Sequence, residues 1–145
     1  MPRLSDTLIE NREMVQPHHA NNLATAHGGN VMKWMDEVGA MAAMRFAGEA
    51  CVTAHINQLN FERPIRVGDT AFIRAYVYDA GRTSVKVRIA AFREDPRTGE
   101  REETTESYFV YVAIDADHRP TEVPELRAQT DRERKLQAEA LDGER

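Results

Sequence analysis

The 145-residue sequence holds a single cysteine, Cys51, which excludes an internal disulfide and, with no second thiol at ligand spacing, a cysteine zinc site. No uninterrupted apolar run approaches the roughly 18 residues of a membrane span. The opening MPRLSDTLIE has neither the basic start nor the apolar stretch of a secretory leader. Basic excess is missing too: 19 Lys and Arg stand against 24 Asp and Glu, a net charge of −5. That balance argues against a surface built to neutralise nucleic-acid phosphates. No internal repeat and no Gly-x-Ser-x-Gly nucleophile turn occurs. With 41% hydrophobic residues the chain can bury one core, so a single domain in a reducing, cytoplasmic setting is expected.

What is present is one strongly apolar segment, VMKWMDEVGAMAAMRF from Val31 to Phe46, free of proline and rich in Met and Ala. It predicts a helix buried nearly all round, with Asn30 as N-cap and Gly48 as the C-terminal stop. Gly39, Ala40, Ala42 and Ala43 leave little bulk, so a sheet can approach its backbone. After Gly48 the period drops to two. Val52, Ala54 and Ile56 share one face, and the switch of parity at Leu59 and Phe61 predicts a bulge near Asn57 and Gln58. Ala71, Ile73, Ala75 and Val77 form a second run, and Val85, Val87, Ile89 and Ala91 a third. Tyr108 to Ile114 is apolar on both faces, as for a strand covered on each side. Turns are expected at Pro64 to Asp69, at Asp79-Ala80-Gly81 and at Asp95 to Gly99.

One long apolar helix followed by about four antiparallel strands is best buried when the sheet curls around the helix, an α+β architecture. A single layer of sheet leaves part of the helix uncovered, which predicts a homodimer. Residues 1–124 read as the single domain. Residues 125–145 are charged, with Leu126, Leu136 and Leu141 too sparse for a firm core face, and are expected as an exposed helix or frayed end.

Polar groups gather in HHANNLATAHGGNVMKWMDE, His18 to Glu37. Asp36 lies two turns into the helix among Trp34, Met35 and Val38, where a carboxylate loses hydration unless partnered; it could act as a nucleophile or as a base toward water. The alternative is that Asp36 and Glu37 face solvent with Lys33. Gly28 and Gly29 can expose helix N-terminal N–H groups to a developing oxyanion, although a glycine pair is more often a plain tight turn before a helix. Asn21 and Asn22 read on composition as loop residues. Adjacent His18 and His19, with His27, do not make a metal site without spaced partners, and His55 reads as a strand-face residue. Arg82-Thr83-Ser84 offers a cation, hydroxyls and backbone donors to a phosphate, and Arg63 and Arg66 form a second basic loop.

The order of Asn21, His27-Gly28-Gly29 and Met35-Asp36-Glu37 resembles the signature of hotdog-fold acyl-CoA hydrolases, the cytosolic branch of the 4-hydroxybenzoyl-CoA thioesterase superfamily. The likeness continues through Asn60 to Asp69, Gly81 to Ser84 and Phe109 to Asp115, covering about His18 to Pro124. It implies a hotdog fold whose dimer forms a continuous sheet, and hydrolysis of acyl-CoA thioesters in fatty acid metabolism. By the same resemblance Asn21 and Asp36 are catalytic and paired across the dimer interface. Gly28 and Gly29 form the oxyanion site, while Arg82, Thr83, Ser84 and Arg63 contact coenzyme A, which enters as part of the substrate. No metal and no other cofactor is implied, and many members assemble dimers into hexamers. Two departures are Ala24, where relatives often carry glycine, and Asn57, where an acidic residue is frequent. The competing readings are an enoyl-CoA hydratase or dehydratase relying on His27, and a non-catalytic acyl-CoA-binding protein.

Overall fold

The computed structural model describes residues 2–144. Five strands, β1 (Ile9–Met14), β2 (Ala50–Ile56), β3 (Thr70–Ala80), β4 (Ser84–Glu94) and β5 (Arg101–Ile114), form one antiparallel sheet in the order β1-β3-β4-β5-β2. Helix α1 (Gly28–Ala47) lies against its concave face and helix α2 (Asp131–Gly143) against the other. This is the hotdog fold expected from the sequence.

The main core follows the predicted periodicities. Val31, Trp34, Met35, Val38, Ala42 and Phe46 of α1 meet Ala71, Ile73, Ala75 and Val77 of β3 and Val85, Val87, Ile89 and Ala91 of β4. Burying each of the larger side chains contributes about 1.5–3 kcal/mol. Helix α1 ends where Gly48 turns left-handed, φ 69°, and its N–H bonds the Met44 carbonyl.

Four expectations are corrected. Helix α1 starts three residues before Val31: His27 is its N-cap, and Asn30 sits in the first turn, its Nδ2 donating to the His19 carbonyl at 3.0 Å. Nor is the helix buried all round, since Met32, Met41 and Met44 are exposed. The bulge lies earlier than Asn57, at Ala54, between Thr53 and His55. The sheet has a fifth strand, β1, because Ile9–Met14 pairs with β3 from Ile9↔Ala75 to Met14↔Thr70.

The charged tail forms a helix, one of the two expectations, but one face of it is docked rather than free in solvent. Ala140, Leu136 and Leu141 of α2 pack with Leu4, Tyr76, Tyr78 and Tyr108 into a second, smaller core. Polar bonds supply what leucines do not. The Tyr78 hydroxyl donates to Glu144 at 2.6 Å and the Tyr76 hydroxyl to the Leu136 carbonyl at 2.8 Å. At the start of α2 the buried Glu133 carboxylate accepts from the Ser5 N–H and hydroxyl and from the Gln129 and Thr130 N–H groups. Those bonds hold its carboxyl well below the usual carboxylate range.

Candidate active site

Asp36 projects from the middle of α1 toward the far edge of the sheet, where β2 follows β5. Thr53 and Tyr111 are directly opposite one another in the β2–β5 ladder, and both reach Asp36. The Thr53 hydroxyl donates to Oδ1 at 2.7 Å. The Tyr111 hydroxyl lies 3.0 Å from Oδ1 and 3.0 Å from the Asp36 carbonyl oxygen. Burial first, then the charge of Asp36, pushes the Tyr111 hydroxyl well above its ordinary value, so it remains a protonated donor. The reading of Asp36 as a plain solvent-facing residue does not hold: it is half-buried and has two hydroxyl partners. Nearby Cys51 is no nucleophile at neutral pH, since burial and then Glu49 push its thiol up to about 11.

Gly39 makes this arrangement possible. A Cβ on residue 39 would collide with the Tyr111 hydroxyl and Ile89 Cδ1.

Asn21 belongs to a different place. Its Oδ1 accepts from the Leu23 N–H at 2.9 Å, the Thr25 N–H at 3.2 Å and the Thr25 hydroxyl at 3.1 Å. With the carbonyl committed to the loop, the side-chain NH2 is the end left to meet a ligand. The loop passes through Ala24 at φ 60°, the left-handed region in which glycine is unstrained. Gly28 and Gly29 open α1, and among the described residues their N–H groups have no backbone partner. A Cβ at Gly28 would press on the Phe61 ring at 3.2 Å, whereas Gly29 faces open space. Beside them lies a cleft of about 320 Å3 lined by Thr25, Gly28, Val31, Phe61, Arg63 and Thr104. Arg63 is held there by the Glu103 carbonyl at 2.9 Å and by Glu102 at 3.6 Å.

One chain therefore carries two separate clusters. Asn21, Gly28, Gly29 and Arg63 gather at the N-terminal end of α1, while Asp36 lies eight residues on, about 12 Å along the axis at 1.5 Å per residue. Arg82, Thr83 and Ser84 go with the second cluster. Ser84 pairs with Val112 and Val85 with Tyr111, so that turn sits one residue pair beyond the Tyr111 row. The Arg82 side chain has no partner among the described residues. The histidines are accounted for structurally: His19 packs edge-on against Trp34 at 5.0 Å and accepts from the Gln16 N–H, and His55 pairs with Asn57 at 3.1 Å. Thr53 and Tyr111, both on Asp36, are the residues that sequence reasoning missed. A larger recess of about 620 Å3 lies on the opposite face of the sheet, where Arg88 is already neutralised by Glu106 and Glu139.

Residues 23–100 match the thioesterase superfamily. The chain belongs to that superfamily. Its relatives within the superfamily include a Bacillus subtilis protein, YkhA, named an uncharacterized acyl-CoA thioester hydrolase, 32% identical over 119 residues, 82% of this chain and 69% of that one. The chain also spans about a fifth of the length of two mouse thioesterases named for acyl-coenzyme A and acetyl-coenzyme A. Among solved structures, a hexameric acyl-CoA thioesterase is 33% identical with a TM-score of 0.88, covering 98% of this chain and 92% of that one. The acyl-CoA hydrolase of Staphylococcus aureus, solved with butyryl coenzyme A and coenzyme A, is 30% identical with a TM-score of 0.89, covering 98% and 87%. Structures of that protein include single alanine variants at an asparagine, at an aspartate 15 residues later and at a threonine 17 residues after that. In this superfamily member Asn21, Asp36 and Thr53 are separated by the same two intervals.

Proposed function

We propose that this acyl-CoA thioester hydrolase builds each active site from two chains, Asp36 of one protomer facing the asparagine loop and helix N-terminus of the other. The observation that carries the reading is the separation of the two clusters within one chain, combined with what lies beside Asp36. Strand β2 ends the sheet with an unpaired edge that carries exposed Val52, and α1 leaves Met32, Met41 and Met44 exposed on the side away from the sheet. An unpaired edge and an exposed apolar face are surfaces that a two-fold partner closes. Two β2 strands meeting there make one continuous sheet, and the opposed helices bring Asp36 toward Asn21 of the partner subunit.

In such a site the thioester carbonyl oxygen lies against the Gly28 and Gly29 N–H groups of the partner subunit, with the side-chain NH2 of the partner's Asn21 orienting water or carbonyl. Asp36 takes a proton from water as the water oxygen bonds to the carbonyl carbon, and the carbonyl electron pair moves to an oxyanion held by those N–H groups. Collapse of that intermediate breaks the C–S bond, and the departing thiolate takes the proton back from Asp36. The products are a free acid and coenzyme A. The identical spacing of asparagine, aspartate and threonine in the Staphylococcus aureus hydrolase supports these assignments. Arg63, lining the cleft, and Arg82, Thr83 and Ser84 are suited to the phosphates of coenzyme A. A cytoplasmic role in acyl-CoA and fatty acid metabolism is the setting we infer, consistent with an unpaired, protonated Cys51. The names of the relatives, thioester hydrolases and thioesterases, favour hydrolysis over the hydratase reading.

Complementation tests both the chemistry and the shared site. Asp36→Ala and Asn21→Ala should each lose about 100-fold or more in thiol release from acyl-CoA. Refolded together in equal amounts they should recover about a quarter of wild-type activity, because half the dimers then hold one intact site. Full activity of Asp36→Ala would refute the chemistry, and no recovery on mixing would refute the shared site.

A further inference from the structure

Both hydroxyls at Asp36 point at the same oxygen. Oδ1 accepts from Thr53 at 2.7 Å and from Tyr111 at 3.0 Å, while Oδ2 meets no donor among the described residues. The two donors are cross-strand neighbours, delivered side by side immediately before the bulge at Ala54. On the helix, Gly39 supplies the gap that the Tyr111 hydroxyl fills. Geometry from three elements thus converges on one atom of a group whose two oxygens are chemically alike.

We infer that Tyr111 is a positioning residue for thioester hydrolysis: with Thr53 it clamps Oδ1, so that Oδ2 is the oxygen that takes the proton from the attacking water. The inference rests on the proposed role of Asp36. A carboxylate free to turn about its Cβ–Cγ bond presents either oxygen and any tilt, and fixing it beforehand removes that disorder from the barrier. Two donors also occupy Oδ1, leaving Oδ2 the oxygen whose lone pairs face no protein donor among the described residues. The clamp survives turnover, since a proton arriving on Oδ2 does not displace either hydroxyl from Oδ1. The Asp36 carbonyl oxygen gives the Tyr111 hydroxyl a second acceptor on the same residue and anchors it to the helix.

The test compares kcat and KM for acyl-CoA hydrolysis in the full-length wild type, Tyr111→Phe, Thr53→Val and the double variant. Tyr111→Phe keeps the buried ring and removes only the hydroxyl, so kcat should fall at least about tenfold with KM within about twofold. Thr53 is exposed in the single chain, and Thr53→Val should act in the same direction without disturbing the core. Because both donors act on one oxygen, the double variant should lose less than the product of the single losses. Tyr78→Phe removes a comparable buried hydroxyl on the opposite face and should leave both constants unchanged. Wild-type kcat in Tyr111→Phe, a change confined to KM, or losses that multiply would overturn the inference while leaving the thioesterase reading intact. A wild type inactive on every acyl-CoA would overturn both.

Discussion

The loop that presents Asn21 turns through Ala24 with φ 60°, where a side-chain methyl crowds the neighbouring carbonyl and costs about 1 kcal/mol relative to a relaxed backbone. Replacing it should relieve that strain. Ala24→Gly is expected to raise stability by up to about 1 kcal/mol, read as a shift of the urea midpoint at unchanged slope. At this scale the sequence draws attention to groups that stand out chemically. Asp36 is a carboxylate in an apolar helix, and Asn21 and the two glycines fall in a block whose order resembles a known family. Thr53 was not legible, because a threonine on an alternating strand looks like any other face residue. Only the ladder that sets it opposite Tyr111 reveals it.

Among the elements, β3 and β4 were readable from period two because one face of each meets α1, and the end of β5 from a run apolar on both faces. Strand β1 was not, since Glu10, Asn11, Arg12 and Met14 are exposed and give no apolar alternation. For α2 a helix was one of two expectations, but its docking was not legible, because it depends on tyrosine hydroxyls and a buried glutamate, which hydrophobic patterning does not register. Glu133 also gives that docking a dependence on pH. Its folded-state value is depressed, so its contribution is complete above the ordinary glutamate value of about 4.3 and is lost as pH falls toward the depressed one. Glu133→Gln should lower Tm by about 5–10 °C near neutrality. The gap between variant and wild type should stay constant down to about pH 5 and narrow below about pH 4; a gap independent of pH would contradict the assignment.

For the whole molecule, the uncovered methionines and the open β2 edge predict that association and activity are lost together. Val52→Glu should place a charge in the apolar seam and convert the assembly to monomers, seen by light scattering, with circular dichroism retained and thiol release lost. Full turnover by such a monomer would contradict a site shared between chains. The expectation of a dimer follows from an apolar helix that one sheet layer cannot cover on every side, whereas any higher assembly depends on shape that patterning does not encode.

The strand order β1-β3-β4-β5-β2 also sets a timetable for biosynthesis. Strand β2 emerges from the ribosome directly after α1, yet among the described residues the strand it pairs with is β5, the last strand to be made. Until residue 114 has been translated, Thr53 has no Tyr111 beside it and Asp36 lacks both of its hydroxyls. Nascent chains stopped short of that point should therefore carry the aspartate without the means to aim it, and the catalytic centre matures only as the sheet is completed.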